Sequence, residues 1–214
     1  DIASFFMSID HKILYDLTLD LIKRHKQSNG WKQSMADLAR TIIFHNPKEN
    51  YIRKGDPRLA DLIPAHKSLL GTEISKGLPI GNYSSQFFAN LYLNKLDHYT
   101  KRVLNCRQYM RYVDDLLLLS DCCNRLKYFK DKISKFLDDQ LNLKLNKNKT
   151  IIQPINRGIN FLGYFVKLNR IYPCRSVRRR YKDKLYKAAI GLNELTALKL
   201  RSIAASYAGH TNYF

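Results

Sequence analysis

The sequence has 214 residues, 45% of them hydrophobic, and sets 37 Lys and Arg against 18 Asp and Glu for a formal net charge of +19. That apolar content excludes a disordered chain and suffices for one or two modest cores. The charge excess favours a polyanionic partner, because each neutralised phosphate releases counterions; no apolar run reaches the roughly 18 residues of a membrane span, and no basic amphipathic helix or lipidation signal argues for a membrane surface.

The chain opens at Asp1 on an apolar run, Ile2 to Ile9, of which residues 1–6 read as a buried strand. Starting inside a strand and without Met, it is expected to lack a preceding segment. Ser8 or Asp10 can cap a following helix, Asp10 lying well for the positive end of the helix dipole. Leu14, Leu17 and Leu21 repeat at helical spacing, and Lys23, Arg24 and Lys26 close that helix before Gly30. A second helix is predicted from about Lys32 to Phe44, with Met35, Leu38, Ala39, Ile42 and Ile43 on its apolar face and Pro47 beyond its end.

Residues 45–83 read as irregular, with a short strand at Tyr51-Ile52-Arg53; a loop of that length in a compact domain is usually functional. A helix capped by Asn82 or Ser84 then carries Phe87, Phe88, Leu91, Leu96 and Tyr99. Tyr109 to Ser120 is the clearest hairpin, turning at Asp114-Asp115. A helix follows at about 123–139 on Leu126, Phe129, Ile133 and Phe136. Short strands are expected near Lys144–Leu145, Thr150–Ile152, Gly158–Gly163 and Phe165–Leu168, and two helices from about Arg175. The resulting order, strand–helix–strand–strand–helix–strand, is the ferredoxin-like split βαβ arrangement of an α+β fold, an antiparallel sheet backed by helices. Cys106, Cys122, Cys123 and Cys174 lack zinc-site spacing and read as reduced thiols of a cytoplasmic protein.

Asp114 and Asp115 admit two readings. Two short polar side chains make a good turn. Alternatively, two carboxylates projecting between apolar strands repel one another unless a cation lies between them. If the first strand pairs beside the hairpin, Asp1 joins them, and three carboxylates make a hard-oxygen site for Mg²⁺ or Mn²⁺. Two such ions about 3.5–4 Å apart would clamp the attacking and leaving oxygens of an in-line displacement.

Tyr112-Val113-Asp114-Asp115 resembles the YxDD box of reverse transcriptases, and Asp1 to His11 resembles their first catalytic strand. Gly77-Leu78-Pro79-Ile80-Gly81-Asn82-Tyr83-Ser84-Ser85-Gln86, followed by Phe88 to Asp97, is similar to the enzymes of diversity-generating retroelements; most other reverse transcriptases carry Pro-Gln-Gly in that loop. Leu143 to Thr150 resembles the fourth palm motif, Phe161-Leu162-Gly163-Tyr164 the primer grip, and Ser206 to His210 a thumb motif.

The resemblance implies a polymerase palm over 1–168, with an inserted helix and loop region at about 28–76, and the start of a helical thumb over 169–214; the fingers, which precede the first strand in the family, are absent, so this stretch alone is expected to polymerise poorly. It makes Asp1, Asp114 and Asp115 the catalytic carboxylates, with the Ile2 carbonyl completing the shell of two Mg²⁺ ions. Phe6 takes the place of a steric gate against the ribose 2′-hydroxyl, or else packs in the core. Gly77, Pro79, Ile80, Gly81, Asn82 and Gln86 would line the nascent base pair, Gly81 admitting close backbone approach; Ile80 either loosens that pocket or is a packing variant. Lys149 either neutralises the leaving pyrophosphate or is one more solvated cation. Tyr112, Phe161, Leu162, Gly163 and Tyr164 would touch nucleic acid.

The dense tract with Arg175, Arg178, Arg179 and Arg180, interleaved with Tyr172, Tyr181 and Tyr186, is either a solvated face or a grip on the template–primer backbone. His11 and His210 lack metal-ligand company and read as structural. The implied function is RNA-directed DNA synthesis of the retroelement type, in a bacterial or phage-encoded protein. Template RNA, nascent cDNA and deoxynucleoside triphosphates would be its partners, with a basic accessory protein left open. A retron or group II intron enzyme, and a catalytically silent nucleic-acid-binding scaffold of the same fold, are the alternatives.

Overall fold

The computed structural model describes residues 1–49, 51–52, 63–64, 68–190 and 194–211. The chain is mixed helix and sheet, and its sheets are small and antiparallel. It divides into two compact units, Asp1–Ile152 and Gln153–Phe214.

The first unit is helical around one core. After Ile2, whose pairing with Leu145 is an isolated antiparallel bridge, Ser4 takes a left-handed φ of 47° and the chain turns into α1 (Phe5–Ser8). The strand expected over 1–6 is therefore reduced to that one bridge. A short apolar run does not by itself distinguish a strand from a buried helical turn. Asp10 caps α2 (His11–Arg24), its carboxylate accepting from the Lys12 and Ile13 amides at 2.9 and 3.1 Å. Leu14 and Leu17 are buried as their spacing requires, while Leu21 lies at the margin.

Ser28 caps α3 (Asn29–Phe44), accepting from the Trp31 amide at 3.2 Å; Gly30 thus sits inside the helix instead of before it. Of its predicted apolar face, Ala39 and Ile43 are buried but Leu38 and Ile42 are exposed. Tyr51 and Ile52 form no strand, and Arg53 lies outside the described residues.

Asn82 occupies the cap position of α4 (Tyr83–His98), which continues as a π-helical turn, Tyr99–Val103. The hairpin follows as β1 (Tyr109–Tyr112) and β2 (Asp115–Leu118), then α5 (Cys123–Leu141). On α5 the buried set is Phe129, Ile133, Leu137 and Leu141, a stripe repeating every four residues, and the opposite face is charged. With Ile2, Phe5, Ile9, Phe88, Tyr92, Leu93 and Leu96 these residues form one continuous core. Each such buried side chain contributes on the order of 1.5–3 kcal/mol.

Tyr92 ties three elements at the centre of that core. Its hydroxyl donates to the Leu141 carbonyl at 2.7 Å and accepts from the Asp10 amide at 3.3 Å, joining the start of α2 to the end of α5. Burial, foremost, pushes its pKa well above the usual tyrosine value. Tyr92→Phe leaves a buried carbonyl without its donor and is expected to cost about 1–3 kcal/mol, read by urea unfolding.

The second unit is a three-stranded meander, β3 (Ile159–Phe161), β4 (Tyr164–Lys167) and β5 (Arg170–Pro173), followed by α6 (Arg175–Ala189) and α7 (Glu194–Thr211). β3, β4 and both helices match the reading from sequence; β5 was not foreseen, and Thr150–Ile152 is not a strand. The β3–β4 turn is Leu162-Gly163, both at positive φ (51° and 84°), as two-residue hairpin loops of the primed kind require. Tyr181 of α6 packs on Tyr207 of α7 with ring centroids 4.4 Å apart. The four cysteines are free thiols. Among the described residues no helix is long and apolar enough to cross a membrane.

Candidate active site

The hairpin register pairs Tyr112 with Asp115, so its two-residue loop is Val113-Asp114, and Asp115 already belongs to β2. The left-handed φ falls on Val113 at 53°, not on an aspartate. That conformation is strained for a β-branched residue. The loop holds both carboxylates half-buried at the hairpin tip.

Asp1 is held by the pairing of 1–3 with 144–146. The Ala3 amide donates to the Lys144 carbonyl at 2.8 Å and the Asn146 amide to the Asp1 carbonyl at 2.9 Å. These bonds use the groups flanking Ile2, so the carbonyl of Ile2 itself points away from the 144–146 segment. The Asp1 side chain is 12% exposed, and its carboxylate forms an ion pair with the Lys149 ammonium.

Electrostatics link all four groups. The Asp114 pKa lies above the usual carboxylate value, raised first by burial and further by Asp115; its own backbone amide and Lys149 act against this. Among the described residues, no three His, Cys, Asp or Glu side chains converge closely enough to cage a metal by themselves. Carboxylates alone repel one another, and in this arrangement the Lys149 ammonium neutralises Asp1. The donor set of aspartate oxygens plus a backbone carbonyl is the chemistry that Mg²⁺ prefers.

A folded Asp114 with a raised pKa binds more protons than the unfolded chain, so its ionised form costs stability at neutral pH and that cost fades as pH falls through the raised value. In the presence of a chelator, Asp114→Asn is expected to raise Tm at neutral pH, with the gain shrinking toward the acid range. A pH-independent change in Tm would contradict this.

Beside α1 lies the glycine loop. The Leu78 amide donates to the Phe6 carbonyl and the Gly77 amide to the Ile9 carbonyl, both at 2.8 Å. His11 closes the same corner, its Nε2 lying 2.7 Å from the Gly77 carbonyl; it is buried and structural, as expected. Gly77 has a φ of 94°, and a Cβ there would meet the Leu69 side chain at 2.7 Å. From this anchored base the loop runs outward: Ile80 is 71% exposed, and Gly81 takes a φ of 109° with open space around it. Asn82 and Gln86 are exposed as well. Ile80 thus lies outside the core of this unit. Phe5 is buried at 2% exposure, whereas Phe6 is half-buried, edge-on to it at 5.4 Å and packed against the margin of the same core.

Residues 1–166 match the family described as reverse transcriptase (RNA-dependent DNA polymerase). The chain belongs to the reverse transcriptase family. It is also similar to the COX1/OXI3 intron 2 protein of Saccharomyces cerevisiae, with 30% identity over 82 residues, 34% of this chain and 9% of that protein. The chain thus spans about a tenth of the length of that curated relative. Reverse transcriptases are nucleotidyltransferases that copy RNA templates into DNA from deoxynucleoside triphosphates with divalent metal ions.

One unit contains Asp1, Ile2, Phe6, the 77–86 loop, Tyr112, Asp114, Asp115 and Lys149. The other candidates fall in the second unit, where Phe161 and Tyr164 are half-buried at the β3–β4 turn and Arg175, Arg178, Arg179 and Arg180 are exposed along α6. Tyr112 is 57% exposed. What the sequence reading passed over is a polar cluster at the hairpin base. Asp97, Tyr109, Arg111 and Asn90 are joined there by short hydrogen bonds. The only trace in the sequence was one arginine among the apolar residues of β1.

Proposed function

We propose that this reverse transcriptase copies RNA into cDNA by two-metal nucleotidyl transfer and is of the diversity-generating retroelement type. The observation that carries the catalytic part is that Asp114 lies within electrostatic reach of both Asp115 and Lys149, the ion-pair partner of Asp1. Divalent cations held by Asp1, Asp114, Asp115 and the Ile2 carbonyl would activate the primer 3′-hydroxyl and neutralise the triphosphate.

The protein's own groups do the rest. Asp114 and Asp115 supply negative charge at the hairpin tip. Lys149, 66% exposed at its side chain, can leave Asp1 to neutralise the departing pyrophosphate once cations take over the carboxylate. Phe6, fixed through its carbonyl to Leu78, would act as the steric gate against the ribose 2′-hydroxyl of the incoming nucleotide. Phe161, Leu162, Gly163 and Tyr164 would hold the primer end, and the α6 cations the duplex backbone, contacts that position without reading sequence.

The retroelement assignment rests on Ile80, Asn82 and Gln86. An exposed hydrocarbon at position 80, where most relatives carry a glutamine amide, cannot hydrogen-bond near the base pair, which fits a loosened pocket. The similarity to the yeast intron 2 protein supports a second reading, a group II intron type of enzyme.

Sequencing of cDNA made on a defined RNA template separates the two. The retroelement reading expects errors concentrated at template adenines and fewer of them in Ile80→Gln. A low, even error spectrum unchanged by that substitution would favour the intron type. Absence of Mg²⁺-dependent extension on any RNA template by the protein with its fingers segment included would leave the silent-scaffold alternative.

A further inference from the structure

We propose that Arg111, clamped by Asp97, is a positioning residue for the catalytic turn: it holds the Val113 carbonyl and thereby fixes where the Asp114 and Asp115 carboxylates project. The proposal rests on the polymerase reading of those aspartates.

The geometry is specific. Arg111 uses Nε and Nη2 to grip both oxygens of Asp97, at 2.8 and 2.6 Å. Its Nη1 donates to the Val113 carbonyl at 3.0 Å and to Asn90 Oδ1 at 3.1 Å. Four of the five N–H donors of a guanidinium are then satisfied in one plane. Tyr109 adds a hydrogen bond to Asp97 Oδ1 at 2.8 Å. The Arg111 side chain is only 11% exposed, so this is not a solvated surface pair.

Val113 needs such a brace. A β-branched residue at a φ of 53° costs on the order of 1–3 kcal/mol and persists only where its surroundings over-determine it. The bond from Arg111 spans the turn from the residue two before Val113 and anchors it to α4 through Asn90 and Asp97. Asp114 is the next residue, so its direction is set by the peptide that Arg111 holds.

The same helix begins at the 82–86 segment proposed to face the nucleotide. α4 is thereby the common reference for both: its amino end carries that segment and its carboxyl-terminal half carries the clamp. Its core face, Phe88, Ala89, Tyr92, Leu93 and Leu96, is buried. A misplacement of about 1 Å at a reacting centre can cost 10²-fold in rate.

A plain structural role would make the pair mere glue between hairpin and helix. Two variants separate the ideas. Arg111→Lys keeps the charge but cannot grip Asp97 and Val113 together. The swap Asp97→Arg with Arg111→Asp restores an ion pair between the same elements, yet removes the donor to the Val113 carbonyl.

Each is assayed by Mg²⁺-dependent primer extension below its melting temperature, with Mn²⁺ binding followed by electron paramagnetic resonance and duplex affinity measured separately. The expected result for Arg111→Lys is a kcat about tenfold to a hundredfold lower, weaker Mn²⁺ binding, and dNTP KM and duplex Kd within about twofold of wild type. The swap is expected to recover melting temperature but not kcat. A folded Arg111→Lys with wild-type kcat and Mn²⁺ binding, or a swap that restores kcat, would overturn the proposal. Asp114→Asn runs alongside: if it extends primers as wild type does, the polymerase reading fails instead.

Discussion

Asp114→Asn is expected to abolish primer extension, by roughly a thousandfold or more, while leaving duplex binding largely intact. Metal-assisted displacement draws several kcal/mol from charge stabilisation at the reacting phosphate, and each 1.36 kcal/mol is tenfold in rate. The amide keeps the shape of the side chain but loses the negative charge that would hold a cation between Asp114 and Asp1. Nothing in the fold depends on that charge. Asp114 is half-buried with its pKa raised by burial, so its ionised form opposes folding. Single-nucleotide extension, paired with a filter-binding measurement of template–primer affinity, checks both halves. Extension that survives the substitution would remove Asp114 from the mechanism.

Phe6→Ala is expected to admit ribonucleotides, with discrimination falling by about 10²-fold, the scale on which shape alone separates substrates in a fixed pocket. The two adjacent phenylalanines divide the labour. Phe5 is core, 2% exposed, and Phe5→Ala should cost about 3–5 kcal/mol of stability without changing sugar selection. Phe6 is half-buried, and its carbonyl is held by the Leu78 amide of the glycine loop, so loss of its ring opens space beside that loop with a smaller penalty. The measurement is the ratio of kcat/KM for a deoxynucleotide and its ribonucleotide. An unchanged ratio would return Phe6 to a packing role.

The parts of the fold legible in the sequence were those governed by local period. Leu14 and Leu17 announced α2, and Phe129 with Ile133 announced α5, because a helix that covers a core must repeat its apolar residues on one face. The hairpin was equally plain, with apolar strands either side of two aspartates. The first segment was misread in part: Ile2 to Ile9 is apolar throughout, and apolarity does not say that Ser4 turns left-handed and sends Phe5 to Ser8 into a helical turn. β5 was missed because Arg170, Tyr172 and Pro173 form no apolar strand pattern; β4 pairs with it along its backbone.

The candidate site divides the same way. Asp1, Asp114 and Asp115 stood out as candidates by residue type and motif alone. The adjacent exposure of Ile80 and the edge position of Phe6 needed coordinates, since each was equally compatible with burial. Arg111 and Asp97, 14 residues apart, carried no motif of their own; their meeting is a product of how the hairpin folds back on α4. The strained turn residue was likewise expected among the aspartates and proved to be Val113.

The most direct test of the central claim is anomalous diffraction from crystals grown with Mn²⁺, a template–primer duplex and a non-hydrolysable deoxynucleotide. The account predicts Mn²⁺ density bounded by the Asp1, Asp114 and Asp115 carboxylates and the Ile2 carbonyl, with Lys149 displaced from Asp1. Bound nucleotide with Mn²⁺ density remote from the 113–115 turn, and Asp1 still paired to Lys149, would contradict it.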